Sequence, residues 1–312
     1  MVVKEIHEGE TLKKIKNILR SLRRKDEAVA GIIVAVMIVG LILAVISIVQ
    51  SLYVPKWMEA REAEHMGAIA DQFSQLSYAI DSQAALRQPF PISTSITLGS
   101  KELGFLMSNK AFGRLSIVPD GGSYLVGLQI GSTSSGDFGV LHYSSENVYF
   151  INQNYNYEGG ALILNQSEGS VFAIEPTFTV NNYKSALIDP RVNITWSCIN
   201  LQPIGDKLSI SGYGTYPVRT KYSSFYNSTM NNQSVHYIQI TTSYPTLWAR
   251  FLNSTFASAN LQYGLNNDYT ISETSDTVTI SFPPIPPNAI PYYLNLQVVT
   301  ISAQLAPGWV GS

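Results

Sequence analysis

The 312-residue chain is short of charge: Asp, Glu, Lys and Arg make up 13% of it, and the formal net charge is -2. That is about half the usual charged fraction. From Pro89 to Ser312 there are nine Lys or Arg and twelve Asp or Glu, so no basic surface is available to neutralise a phosphate backbone, and nucleic acid is excluded as a partner. Cysteine is nearly absent. The single Cys198 excludes an intramolecular disulfide and any cysteine-rich zinc site, and it reads as a buried thiol. Histidine is scarce too: His7, His65, His142 and His236 show no HExxH or paired-ligand spacing. There is no Gly-x-Ser-x-Gly, and the stretch from Gly131 to Gly136 reads as a hairpin loop instead of a nucleophile elbow or a phosphate loop. His142 with Glu146 can be drawn as a base and its orienter, against the plainer reading of a structural strand histidine. Asp120-Gly121-Gly122 and Asn266-Asn267-Asp268 offer calcium-type oxygens without the further ligands calcium needs. No catalytic, cofactor or metal site is therefore expected, and the chain does not read as an enzyme.

What is abundant is uninterrupted apolar sequence near the N-terminus. Val29 to Pro55 carries no charged side chain, and its apolar part, Val29 to Val49, spans about 30 Å as a helix, one bilayer thickness. Hydrocarbon leaves backbone groups no outside partner, so the segment must be helical despite its many Val and Ile residues. Lys4, Lys13, Lys14, Lys16, Arg20, Arg23, Arg24 and Lys25 precede it, whereas only Lys56 and Arg61 follow closely. This asymmetry puts the N-terminus in the cytoplasm and everything beyond Tyr53 outside the cell membrane. Tyr53 and Trp57 mark the interface, and Pro55 predicts a modest bend.

The basic block ends abruptly in Arg24-Lys25-Asp26-Glu27-Ala28, followed at once by Val29-Ala30-Gly31. This pattern resembles the class III signal of type IV prepilins and archaellins, and looks most like archaeal pilin-type precursors. Carried over, the resemblance implies leader removal between Ala28 and Val29, any bond from Lys25 to Val29 being admissible. It implies a leader peptidase and an assembly platform as partners, and self-assembly through the exposed helix. Ala30, Gly31, Ala35, Gly40 and Ala44 would let such helices approach closely. Many pilins carry Glu at the fifth mature position, where this chain has Ile33, so an assembly step using that carboxylate cannot operate. The stretch Asn152 to Gly169 also resembles a segment of archaeal pilin-like surface proteins, a Tyr-rich strand leading through Gly-Gly into an apolar strand. The alternative is an uncleaved single-pass anchor carrying an extracellular binding module.

Beyond Pro55, Met66, Ile69, Phe73, Leu76 and Ile80 recur at spacings of three and four, the apolar stripe of a helix that seats on an outer domain; a coiled-coil stalk is the other use of such a stripe. Pro89 and Pro91 end it. Short alternating runs follow at 95–98, 114–118, 123–130, 138–143, 147–151, 161–164, 192–199, 207–211, 236–242, 277–282 and 293–301, with turn residues between them. Leu247, Trp248, Phe251, Leu252 and Phe256 predict one short helix in which Trp248 reads as core, a ligand-stacking role being the functional alternative. The expected fold is α+β, a long membrane-spanning helix followed by a mainly antiparallel, sandwich-like β domain. Its segments are a basic leader (1–28), a transmembrane helix (29–54), a helix extension (55–88) and a β-rich extracellular domain (89–312). Five Asn-x-Ser/Thr sequons, at Asn165, Asn193, Asn227, Asn232 and Asn253, all lie beyond the apolar run, as an exported, glycosylated surface requires; Asn193, within a predicted strand, is the weakest.

Overall fold

A computed structural model describes residues 16–17, 30–99, 111–129, 131–229, 234–264, 267–283 and 290–305. Helix α1 runs from Ala30 to Leu86 without a break. Where Pro55 predicts a bend, Val49–Tyr53 forms a π-helical turn, closed by Val54 N–H donating to the Val49 carbonyl. The chain divides into two compact units between Met58 and Glu59, and residues 59–86 of the helix fall in the same unit as the β domain.

Among the described residues of the second unit, fourteen strands form two sheets. They are β1 (Ile92–Thr97), β2 (Phe112–Leu128), β3 (Thr133–Glu146), β4 (Asn154–Glu158), β5 (Ala161–Gln166), β6 (Gly169–Ile174), β7 (Phe178–Asn182), β8 (Val192–Pro203), β9 (Ser209–Gly212), β10 (Thr215–Thr229), β11 (Val235–Thr241), β12 (Thr270–Glu273), β13 (Thr277–Ser281) and β14 (Tyr292–Leu305). Helix α2 (Pro245–Ser258) sits between β11 and β12 in the chain, with Pro245 opening its first turn. One sheet has the order β1-β10-β14-β8-β7; the other runs β12-β13-β11-β2-β3-β4-β5-β6, with β9 also on β2. The fold is α+β, a long N-terminal helix followed by a mainly antiparallel β domain. One pair departs from antiparallel: β8 and β14 run parallel over Val192↔Tyr292 to Pro203↔Ala303, which their separation by all of β9 to β13 permits.

Two runs read as separate strands, 114–118 and 123–130, are the halves of β2. Asp120-Gly121-Gly122 is a bulge within it, not a turn between strands: the β2–β3 register shifts between Val118 and Gly122, and Asp120 takes φ +52°. The 131–136 stretch is largely strand as well, since β3 already begins at Thr133. By contrast, 147–151 is not a strand.

The long strands serve two cores on opposite faces. In β8, Ile194, Trp196 and Cys198 enter one cluster, whereas Ile199 and Leu201 enter the other; in β14 the change falls between Val298 and Val299. Side chains alternate across a strand, so the adjacent buried pairs Cys198-Ile199 and Val298-Val299 mark where burial passes from one face to the other. The register sets Cys198 beside Val298 and Ile199 beside Val299, so both strands change together. The first core is capped by α2 through Trp248, Phe251, Leu252 and Phe256. The second holds α1.

Candidate functional site

The apolar part of α1 is long and apolar enough to cross a membrane, and none of it is buried within the chain. From Ile32 to Ile48 every large apolar side chain is 46–70% exposed. At about 25 cal/mol per Å², leaving such a surface in water costs on the order of 20 kcal/mol, so lipid or protein must cover it. Gly31 and Gly40 have no heavy atom within 4 Å of where a Cβ would stand, which leaves room for an approaching backbone. Tyr53 and Trp57 are both exposed, their ring centroids 6.1 Å apart. Apart from residues 16–17, the basic leader lies outside the described residues, as does the Ala28-Val29 bond.

Within the second unit, α1 is seated by the five stripe residues. Met66, Ile69, Phe73, Leu76 and Ile80 are each no more than 2% exposed and share a core with both sheets. Phe73 stacks on Tyr155 at 5.3 Å and meets Tyr143 at 5.9 Å. Polar residues of the same helix fix its register. The fully buried Glu62 accepts the backbone N–H of Val148 at 3.1 Å on Oε1, and those of Tyr149 and Phe150 at 2.7 Å each on Oε2. Three successive N–H groups spent on one carboxylate explain why 147–151 joins no ladder. His65 Nε2 donates to the Thr97 carbonyl at 2.9 Å; burial lowers its pKa, against the opposing pull of that carbonyl and of Glu62. Gln72 exchanges two hydrogen bonds with Thr97, and Gln83 donates to the carbonyls of Phe90 and Thr220. Spacing shows the stripe; nothing local marks Glu62, whose partners lie 86 to 88 residues away.

The proposed acid–base pair does not assemble. His142 and Glu146 lie four residues apart on β3, about 13 Å along an extended strand, and His142 Nδ1 instead meets Asn156 Oδ1 at 2.5 Å. Asn156 Nδ2 in turn donates to the Tyr244 hydroxyl. Beside this chain is an acid that sequence reasoning missed. Glu158, 2% exposed at the end of β4, accepts hydrogen bonds from Thr242 Oγ1 at 2.6 Å and Trp248 Nε1 at 2.8 Å, both on Oε1. Burial raises its pKa, and the two donors only partly offset that. It ties the entry of α2 to the sheet, and Trp248 is core. Cys198 is a free, buried thiol whose pKa burial pushes up.

Among the described residues no three His, Cys, Asp or Glu side chains are grouped to hold a metal. Asp268 is already committed to Lys184 and to the Gln262 N–H, and Asn266 lies outside the described residues. Of the sequons, Asn227 and Asn253 are exposed. Asn253 Oδ1 accepts from the Tyr269 hydroxyl, Asn165 Oδ1 from Ser170 Oγ, and Asn193 lies in β8 between β7 and β14; Asn232 lies outside the described residues. An open groove of about 770 Å³ runs along β6, β7 and one face of α2. No known protein family, curated protein or solved structure matches this chain.

Proposed function

We propose that this chain is an exported type IV pilin-like subunit, a minor pilin in keeping with its large head, that serves filament assembly, surface contact or adhesion. The observation that carries the reading is the division of labour along α1: an N-terminal part with no burial at all, and a C-terminal part seated in the β domain through its apolar stripe and Glu62. Under this reading the basic leader stays cytoplasmic, a leader peptidase cuts at Ala28-Val29, an assembly platform draws the helix from lipid, and the exposed surface from Ile32 to Ile48 packs against its copies. The head, bearing its sequons, stands outside the cell. Its role is structural and adhesive, not enzymatic. The absence of a fifth-position Glu requires that subunit docking rely on apolar and small-residue packing alone.

The second reading, an uncleaved single-pass anchor for a binding module, is favoured by the size of the head and shares every feature except processing. Intact mass and N-terminal sequencing of protein extracted from native cells separate the two. A mature start at Val29, or within the Lys25 to Val29 window, supports assembly; a retained basic leader supports the anchor.

A further inference from the structure

Each sheet ends in a strand that borders the same groove. Strand β7 terminates the five-stranded sheet and β6 the nine-stranded one, and the groove of about 770 Å³ is lined by both edges and by Arg250, Ser254, Thr255 and Ser258 of α2. That size lies within the range of ligand sites.

The hydrogen-bond register shows which backbone groups of β7 look outward. Ser197 N–H donates to the Thr177 carbonyl at one end of the β7–β8 ladder, and Tyr183 N–H to the Arg191 carbonyl at the other. In an antiparallel pair the bonded positions alternate, so Thr179 and Asn181 face β8, while Phe178 and Val180 turn their N–H and C=O away from it. Among the described residues nothing hydrogen-bonds to those outward groups. On β6, by contrast, the Ser170 carbonyl accepts from the Arg250 guanidinium at 3.2 Å. Asn182 Nδ2 donates to the carbonyl of Ala259, a residue that lines the groove.

Exposed edges are normally blunted by a charge, a proline or a bulge. The edge opposite β7 in the same sheet, β1, is covered instead: α1 takes the Thr97 N–H through Gln72 Oε1 and the Thr97 carbonyl through His65 Nε2. Strand β7, Phe-Thr-Val-Asn-Asn, has neither charge nor proline, and its register with β8 is unbroken. Its unbonded donors and acceptors recur every second residue, about 7 Å apart, on the half-buried Val180 and the buried Phe178, a spacing that an extended peptide matches and a sugar ring does not.

We propose that the free edge of β7 is a strand-addition site that takes an extended, proline-free peptide of about five residues from a partner protein. Small polar side chains on the peptide suit the hydroxyl-lined wall of Ser254, Thr255 and Ser258. This inference is independent of whether the leader is removed.

The test uses the full chain in lipid nanodiscs, screened with a displayed library of random eight-residue peptides, with a saccharide array screened in parallel. Recovered peptides are resynthesised with N-methyl groups on alternate amides, once in each of the two registers. One register should weaken binding at least about tenfold and the other should not, since only one set of amides meets the strand. Val180→Pro, which removes an outward N–H and no ladder bond, should have the same effect, whereas Val180→Thr should retain binding. Ser254→Trp should block the groove. If Val180→Pro fails to fold, the methylated peptides against the unaltered chain decide. Recovery of no peptide, equal binding in both methylated registers, or saccharide binding that Ser254→Trp abolishes would each overturn the proposal.

Discussion

Replacing Glu62 by Gln is the sharpest probe of how α1 holds its head. The carboxylate takes three backbone N–H groups, two on one oxygen and one on the other. A carboxamide keeps one accepting oxygen, so the bonds from Tyr149 and Phe150 survive as neutral ones, about half as strong, while the Val148 N–H is left facing an NH2 group. Bonds to a charged acceptor are worth about 1.5–3 kcal/mol each, so the net loss is about 3 kcal/mol. For a unit of this size that corresponds to a fall in Tm of about 6–12 °C. Circular dichroism melts of detergent-purified protein measure it, and limited proteolysis should show new cleavage near residues 147–153. A Glu62→Gln variant that melts within about 2 °C of the parent, with no new cleavage, would refute the idea that this carboxylate fixes the helix to the β domain.

Three further titratable groups, Asp81, His65 and Glu158, can be probed in the same way. Although Asp81 is exposed as a residue, desolvation of its carboxyl raises the pKa from its ordinary value to about 6, with the Tyr157 hydroxyl opposing it. A raised carboxyl pKa favours the folded state in acid and loses that contribution as pH climbs from about 4 through 6, so Asp81→Asn should melt higher than the parent at pH 8, with the gap closing below about pH 4. His65 has the opposite sign: its lowered pKa means that stability drains away as pH falls below the ordinary histidine value of 6.5, and His65→Gln should flatten that slope in the same melts. At Glu158, Gln keeps the acceptor that Trp248 and Thr242 use, whereas Leu leaves both donors unpaired in the core. Urea denaturation should therefore place Glu158→Leu about 2–4 kcal/mol below Glu158→Gln; equal stability would show that these bonds contribute nothing.

Much of this architecture is legible in the sequence where the signal is local. The stripe from Met66 to Ile80 shows in its spacing because one face of one helix is buried. Trp248 and Phe251 reveal α2 for the same reason. Failures occur where distant residues decide. Val-Tyr-Phe-Ile at 148–151 has strand composition, yet its N–H groups are taken by Glu62. Asp120-Gly121-Gly122 has turn composition, yet β3 pairs on both sides of it and turns it into a bulge. Glu158 looks like the start of a Glu-Gly-Gly surface turn; its burial depends on Thr242 and Trp248, which only the fold brings near. Strand β10 escapes notice because Pro217 and three charged or bulky polar positions interrupt its pattern, and the fold tolerates Pro217 opposite Ser95 of the short edge strand β1. The parallel β8–β14 pair has no local signature at all.

The central claim is that the exposed apolar surface of α1 becomes a contact between identical subunits. Because Cys198 is buried, a cysteine introduced on that surface is the only thiol open to oxidation. Ala35→Cys and Gly40→Cys, produced in native cells and oxidised gently, test the contact directly in filaments sheared from the cell surface. The account predicts disulfide-linked dimers in that fraction for at least one of the two positions, absent when Glu64→Cys on the seated part of the helix is treated alike. Monomer alone at both positions, confined to the membrane fraction, would contradict it.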